Sequence, residues 1–262
     1  MTRDVKVHLL PTLFEPDEVR GGVAVILDIL RASTTITHAL ANGAKAVIPT
    51  GEVDEARRIA VDFPKGGVLL GGEREGVLIE GFDLDNNPFA YSREVVAGRT
   101  IVFTTSNGTR ALLRAEQADR VLIGSFVNLQ AVVSVLASDS RPIHLVCAGT
   151  MGKVSLEDVL CAGGICHRLQ TWSDAHGAGD DFNCDDDQTQ LALDSYWFRA
   201  AAPEDNDSAP IQAAISMSRG GRNCLRLGFE DQITRAATYD LFNIVPEYHK
   251  PTRTITISLP HG

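Results

Sequence analysis

The chain has 262 residues, 44% hydrophobic and 22% charged, which supplies material for a full core and excludes a chain disordered throughout. Its 34 acidic and 24 basic residues leave a formal charge of −10, so no general attraction to nucleic acid or anionic membrane is expected. An anionic ligand therefore needs a local concentration of positive charge or a bound cation.

Read from the N-terminus, MTRDVKVHLLPTLFEP lacks the continuous apolar run of a secretory leader. The five cysteines, Cys147, Cys161, Cys166, Cys184 and Cys224, are an odd number, so reduced thiols and a cytoplasmic location are expected. Strand-like runs follow: VAVILDI (23–29), KAVIP (45–49), GVLLG (67–71), RTIVFTT (99–105), RVLIG (120–124) and PIHLVCAG (142–149). Between and after them EVDEARRIAVDF, GTRALLRAE, NLQAVVSVLAS and SLEDVLCAGGICHRLQ carry apolar residues at helical spacing. The uncharged stretch 121–138 is divided by Gly124 and reads as a strand and a helix, not a membrane span.

Farther on, 173–190 is rich in Gly and Asp and reads as an acidic surface loop. Asp181, Asn183 and Asp185 copy the first ligands of a calcium loop, but Asp186 and Ala192 stand where Gly and Glu are required. Residues 202–210 read as a linker, 218–237 as helical after Gly221, and 242–248 and 252–259 as edge strands. Alternating strands and helices predict one α/β unit over 1–262, a three-layer α/β/α fold with a largely parallel or mixed sheet. Similar turns after the first and fourth strand runs hint at an internal duplication.

In such sheets ligands gather where strands end and helices begin. Three strand ends share a vocabulary: LDILRASTT (27–35), FTTSNGTRA (103–111) and CAGTMGKVSLED (147–158). Small and hydroxylated residues there present backbone N–H groups and a helix N-terminus, which suits oxyanions, and Arg31 and Arg110 add guanidinium forks. Each element also has a plain reading: Asp28, Ser33, Thr34, Asn107 and Ser155 are ordinary capping residues. Between the first two turns, 71–91 is an irregular acidic segment with Glu73, Arg74 and Asp83, and Glu157 and Asp158 follow the third; oxygen ligands of this kind suit Mg²⁺.

The motifs DILRASTTITHALANGA (28–44), GEREGVLIEGFDLDNNP (72–88), TTSNGTRAL (104–112) and CAGTMGKVSLEDVLCAG (147–163) together resemble the 2-phosphosulfolactate phosphatase family of the coenzyme M pathway. The resemblance implies an α/β/α, Mg²⁺-dependent phosphoric monoester hydrolase that converts (2R)-phospho-3-sulfolactate to 3-sulfolactate and phosphate. Asp85 and Asn87 depart from the Gly and Ser common in that family, and 173–190 is longer than usual. On this expectation Asp28, with one or more of Glu73, Asp83 and Glu157, holds Mg²⁺. Arg31, Arg110 and Arg74 face the substrate's negative charge, and Ser33, Thr34, Asn107 and Thr109 bind its anionic groups. Attack by water or by Asp28 stays open, although Leu30 stands where covalent aspartyl phosphatases carry a second aspartate. The expected partner is a small anionic phosphorylated substrate, with no nucleic acid and no membrane; homo-oligomer formation is compatible with the sequence. A nicotinamide dehydrogenase is disfavoured because DILRAST offers no GxGxxG, and a non-catalytic anion-binding module remains the rival.

Overall fold

The computed structural model describes residues 2–176, 182–200 and 207–257. In chain order the elements are β1 (Arg3–His8), β2 (Val23–Leu27), α1 (Ala32–Ala41), β3 (Ala46–Thr50), α2 (Val53–Val61), β4 (Val68–Arg74) and β5 (Val77–Leu78). Next come α3 (Arg93–Val96), β6 (Thr100–Thr104), α4 (Gly108–Arg114), β7 (Arg120–Gly124), α5 (Leu129–Ser138), β8 (Ile143–Cys147) and α6 (Leu156–His176). The last third holds β9 (Phe182–Asn183), α7 (Asp187–Ala200), α8 (Ser208–Ser216), α9 (Arg219–Arg226), α10 (Glu230–Ala237), β10 (Pro246–His249) and β11 (Thr254–Ile257).

The strands form a single sheet in the order β5-β4-β6-β3-β11-β10-β7-β2-β8-β1-β9. Strands β2, β6 and β8 are buried along their whole length because helices cover both faces. Ala24, Ile26, Ile101, Phe103 and Ile123 pack on one face with α1 and α4. On the other, Val25, Leu27 and Leu145 pack with α5 and α6, and Val102 packs with Ala56 of α2. The architecture is a three-layer α/β/α fold.

Two groups of parallel strands make up the sheet: β4, β6 and β3 on one side, β7, β2, β8, β1 and β9 on the other. The antiparallel hairpin β10–β11 lies between them and pairs with β7 and β3. The two C-terminal segments, expected at the sheet's edge, therefore occupy its centre. Arg120 of β7 fixes this junction with bonds of 2.8 and 2.9 Å to Glu247 of β10 and 3.1 Å to Asp139. Passing through the hairpin reverses strand direction between the groups. The loops after β2 and β6 nevertheless reach one site, where Gly108 packs against Asp28.

Stretch 121–138 is strand β7, a single turn of 3₁₀ helix at Phe126–Asn128, and α5. Among the described residues no helix is long and apolar enough to cross a membrane. Of the acidic segment 173–190, residues 177–181, which include Asp181, lie outside the described residues, as do 201–206 of the linker-like patch.

Candidate active site

A cleft of about 750 Å³ opens where the segments after β2, β4 and β6 meet the 150–151 turn and α9. At its base is Asp28, only 7% exposed. The strand stops there because Ser33 folds back on it: the Asp28 N–H donates to Ser33 Oγ (2.9 Å), and the Ser33 hydroxyl donates to the Ile26 carbonyl (3.1 Å). Asp28 Oδ1 accepts from the Ala32 N–H at 3.3 Å, and Oδ2 lies 2.8 Å from the position a Cβ would take on Gly108. Only glycine lets α4 come so close to the carboxylate. Burial raises the Asp28 pKa to about 7, assisted by Glu73 and Glu157 and opposed by the Ala32 amide and Arg31.

Three further carboxylates surround it. Glu73 is gripped by the backbone N–H groups of Gly76 (2.7 Å) and Ser106 (3.1 Å). Asp158 is gripped by those of Ile29 and Gly149, both at 2.9 Å. Burial, then Glu157 and Asp28, push Asp158 well above the carboxylate range. Burial also raises Glu157, whose Oε2 is buried without a hydrogen-bond partner. Five amides near the strand ends, those of Ile29, Ala32, Gly76, Ser106 and Gly149, are thus occupied by the protein's own acidic side chains. A substrate anion in this acidic setting calls for side-chain cations as well.

Arg31 is one such cation. It is buried, and its guanidinium donates to Gln232 Oε1 (2.7 Å) and the Gly76 carbonyl (2.8 Å) while lying over the Phe229 ring at 5.1 Å. Five N–H donors belong to a guanidinium; two are used in this way, and three remain for an oxyanion. Cys224 also lines the cleft, but burial pushes its thiol up to about 11, so it is no thiolate nucleophile at neutral pH.

Of the residues singled out in the sequence, the structure brings Asp28, Arg31, Glu73 and Asn107 to the cleft and Glu157 close to its base beside Gly220. Asn107 Oδ1 accepts from the Met151 N–H at 3.2 Å. The others lie elsewhere for identifiable reasons. Ser33 and Thr34 spend their hydroxyls on the strand end, Thr34 donating to the Ile29 carbonyl at 2.9 Å. Arg74 turns to the Gly51 carbonyl and Thr104 Oγ1. Thr109 lines a separate apolar cavity between α1 and α4. Arg110 is exposed one residue further along α4, outside the cleft lining. Asp83 is exposed and ties down its own loop by accepting from the Leu70 N–H at 2.8 Å.

The sequence model of the 2-phosphosulpholactate phosphatase family matches residues 8–251. The chain belongs to this family. A probable 2-phosphosulfolactate phosphatase of Symbiobacterium thermophilum is 40% identical over 88% of this chain and 93% of its own length. Similar proteins of that description occur in Caldanaerobacter subterraneus, 40% identical over 85% and 86%, and Thermotoga petrophila, 39% over 85% and 87%.

In this family member, sequence reasoning missed the outer wall of the cleft. Arg219, Arg222, Asn223 and Arg226 of α9 line it, as does Asn86, whose Oδ1 is buried without a partner. The available signal was the spacing of the three arginines, i, i+3 and i+7, which places them on one helix face. It passed unread because their helix was expected to begin only after Gly221. In the structure Ser218 caps the helix by accepting from the Gly221 N–H at 2.9 Å, so α9 starts at Arg219.

Proposed function

We propose that this protein is a Mg²⁺-dependent phosphatase that hydrolyses (2R)-phospho-3-sulfolactate to 3-sulfolactate and inorganic phosphate. The observation that carries the reading is Asp28: a carboxylate in the base of a cleft, crowded by like charges, and faced by an anchored arginine with donors to spare. Names borne by relatives across most of their length supply the substrate.

The donor set suits the cation. Mg²⁺ takes hard oxygens, commonly one or two carboxylates with water and substrate phosphate completing the shell. Among the described residues no three His, Cys, Asp or Glu side chains form a ready-made metal cluster, so the protein's share would be small. Asp28, whose ionisation is opposed by burial and by Glu73 and Glu157, and Glu157, with its unpartnered Oε2, would hold the ion. When bound, Mg²⁺ neutralises charge on the phosphoryl oxygens. Glu73, with both oxygens on backbone amides, positions the 73–76 turn against the 106–108 turn. Arg31 binds phosphoryl oxygens with its free N–H groups, and Asn86 Oδ1 accepts a hydrogen bond from the attacking water. Water is the nucleophile in this reading because Leu30 provides no second aspartate to serve a covalent Asp28 and the Cys224 thiol stays protonated.

The test is phosphate release from phosphosulfolactate and from p-nitrophenyl phosphate, each with Mg²⁺ and with chelator. Release from phosphosulfolactate that needs Mg²⁺ is expected. Binding of the compound without release from either ester would leave a non-catalytic anion-binding module.

A further inference from the structure

We propose that the arginine face of α9, formed by Arg219, Arg222 and Arg226, is the subsite for the substrate's sulfonate and sets selectivity for sulfonated phosphate esters. The inference rests on the phosphatase reading above and assigns the end of the substrate remote from the reacting phosphorus.

Apart from Arg31, these three arginines are the cations that line the cleft. All are exposed, and among the described residues none forms an ion pair with a carboxylate. What sets them apart is their place: the arginines that do pair with a carboxylate, Arg20, Arg57, Arg114, Arg120, Arg141, Arg168 and Arg253, all lie outside the cleft lining. The remaining ties are to neutral oxygens: Arg222 donates to the Met217 carbonyl, and Arg226 donates to Asn223 Oδ1 at 2.8 Å. Such bonds aim a guanidinium without neutralising it, although Arg222 also lies near enough to Glu157 for its charge to favour that carboxylate.

The helix is also seated closely. A Cβ on Gly220 would lie 2.0 Å from Glu157 Oε1, and one on Gly221 would lie 1.9 Å from the Ile215 carbonyl oxygen. Gly220 brings α9 against Glu157, and Gly221 brings it against the end of α8, which seats the helix closely on both.

The ligand class follows from the charges that remain to be matched. With the phosphate at Asp28 and Arg31, the cations left in the cleft lining for a second anionic group are Arg219, Arg222 and Arg226. A sulfonate keeps its charge at every working pH and presents three equivalent oxygens. Guanidinium forks arriving from one helix face can bind it at several points.

The experiment compares wild type with the double variant Arg222→Gln/Arg226→Gln on phosphosulfolactate and on phospholactate, which lacks only the sulfonate. Wild type should prefer the sulfonated ester, and the variant's kcat/KM should fall about 100-fold on it but less than about 5-fold on phospholactate. An equal fall on both esters, no fall, or a wild type indifferent to the sulfonate would overturn the subsite while leaving the phosphatase reading intact. A binding arm separates the two failures. 3-Sulfolactate, which has no phosphate, should raise the Tm of wild type but not of the variant, and lactate should raise neither. If no phosphate is released from either ester while this pattern holds, the phosphatase reading fails and the subsite survives; if 3-sulfolactate protects both proteins equally, the subsite fails.

Discussion

Asp28 is held where its neighbours oppose its ionisation, yet its position is fixed by the backbone on either side. That combination lets a substitution separate chemistry from folding. Asp28→Asn keeps an oxygen for the Ala32 amide and removes the charge, so the fold should persist. Turnover should fall by at least about 100-fold, because interactions with developing charge in buried sites have this weight or more. Steady-state phosphate release with matched circular dichroism checks it, and an active variant would remove Asp28 from the mechanism. At this scale the sequence was legible where a residue type has few alternative uses. An aspartate ending a buried strand and an arginine three residues later pointed to the site, and both line it. Hydroxyls were not legible, since Ser33 and Thr34 tie the backbone in a way that composition cannot distinguish from ligand binding. Arg110 and Asp83 lie outside the cleft lining because helical phase and loop direction, not local vocabulary, decide where a charged residue is placed.

Among the elements, six strands were plain from their continuous apolar runs, whose observed bounds fall within a few residues of those expected, while the alternating β1 and the two-residue β5 and β9 went unread. The hairpin is a further exception. The short, half-polar runs of β10 and β11 look like edge strands, but their central place depends on pairing with β7 and β3 and on the Arg120–Glu247–Asp139 cluster, all distant in sequence. Helix α9 was equally hidden, because two adjacent glycines read as a break. Those glycines mark close approach instead. Gly220→Ala should therefore act on the site through the helix. The added methyl meets Glu157 Oε1, α9 must shift, and overpacking of this kind costs about 1–3 kcal/mol. A lower urea midpoint together with a raised KM for phosphosulfolactate is expected, whereas unchanged KM would show that α9 does not contact substrate.

For the whole molecule, the cleft gathers acidic side chains whose ionisation burial opposes, and this links stability to pH and, under the proposed function, to Mg²⁺. In the unfolded chain Asp28 keeps its ordinary value of 3.8, and in the fold burial raises it to about 7. Between those values the native state retains a proton that the unfolded chain has released, so this group's contribution to stability falls as pH rises and levels off above about 7. Other groups act oppositely. Burial lowers His8, His38 and His144 to about 4, so they favour the native state increasingly as pH rises towards 6.5. Comparing Asp28→Asn with wild type cancels the histidines, since both proteins carry them. In chelator the variant's stability advantage should therefore widen from pH 5 to pH 8, by on the order of a few kcal/mol. On the proposal that Asp28 holds Mg²⁺ as its ionised carboxylate, adding the ion should close the gap at pH 8 by stabilising wild type alone, and do little at pH 5. Urea unfolding at both pH values, with and without Mg²⁺, resolves the two statements. A gap independent of pH would contradict the buried, charge-crowded setting of Asp28. A pH-dependent gap that Mg²⁺ leaves open would keep that setting and exclude Asp28 as the residue that holds the cation.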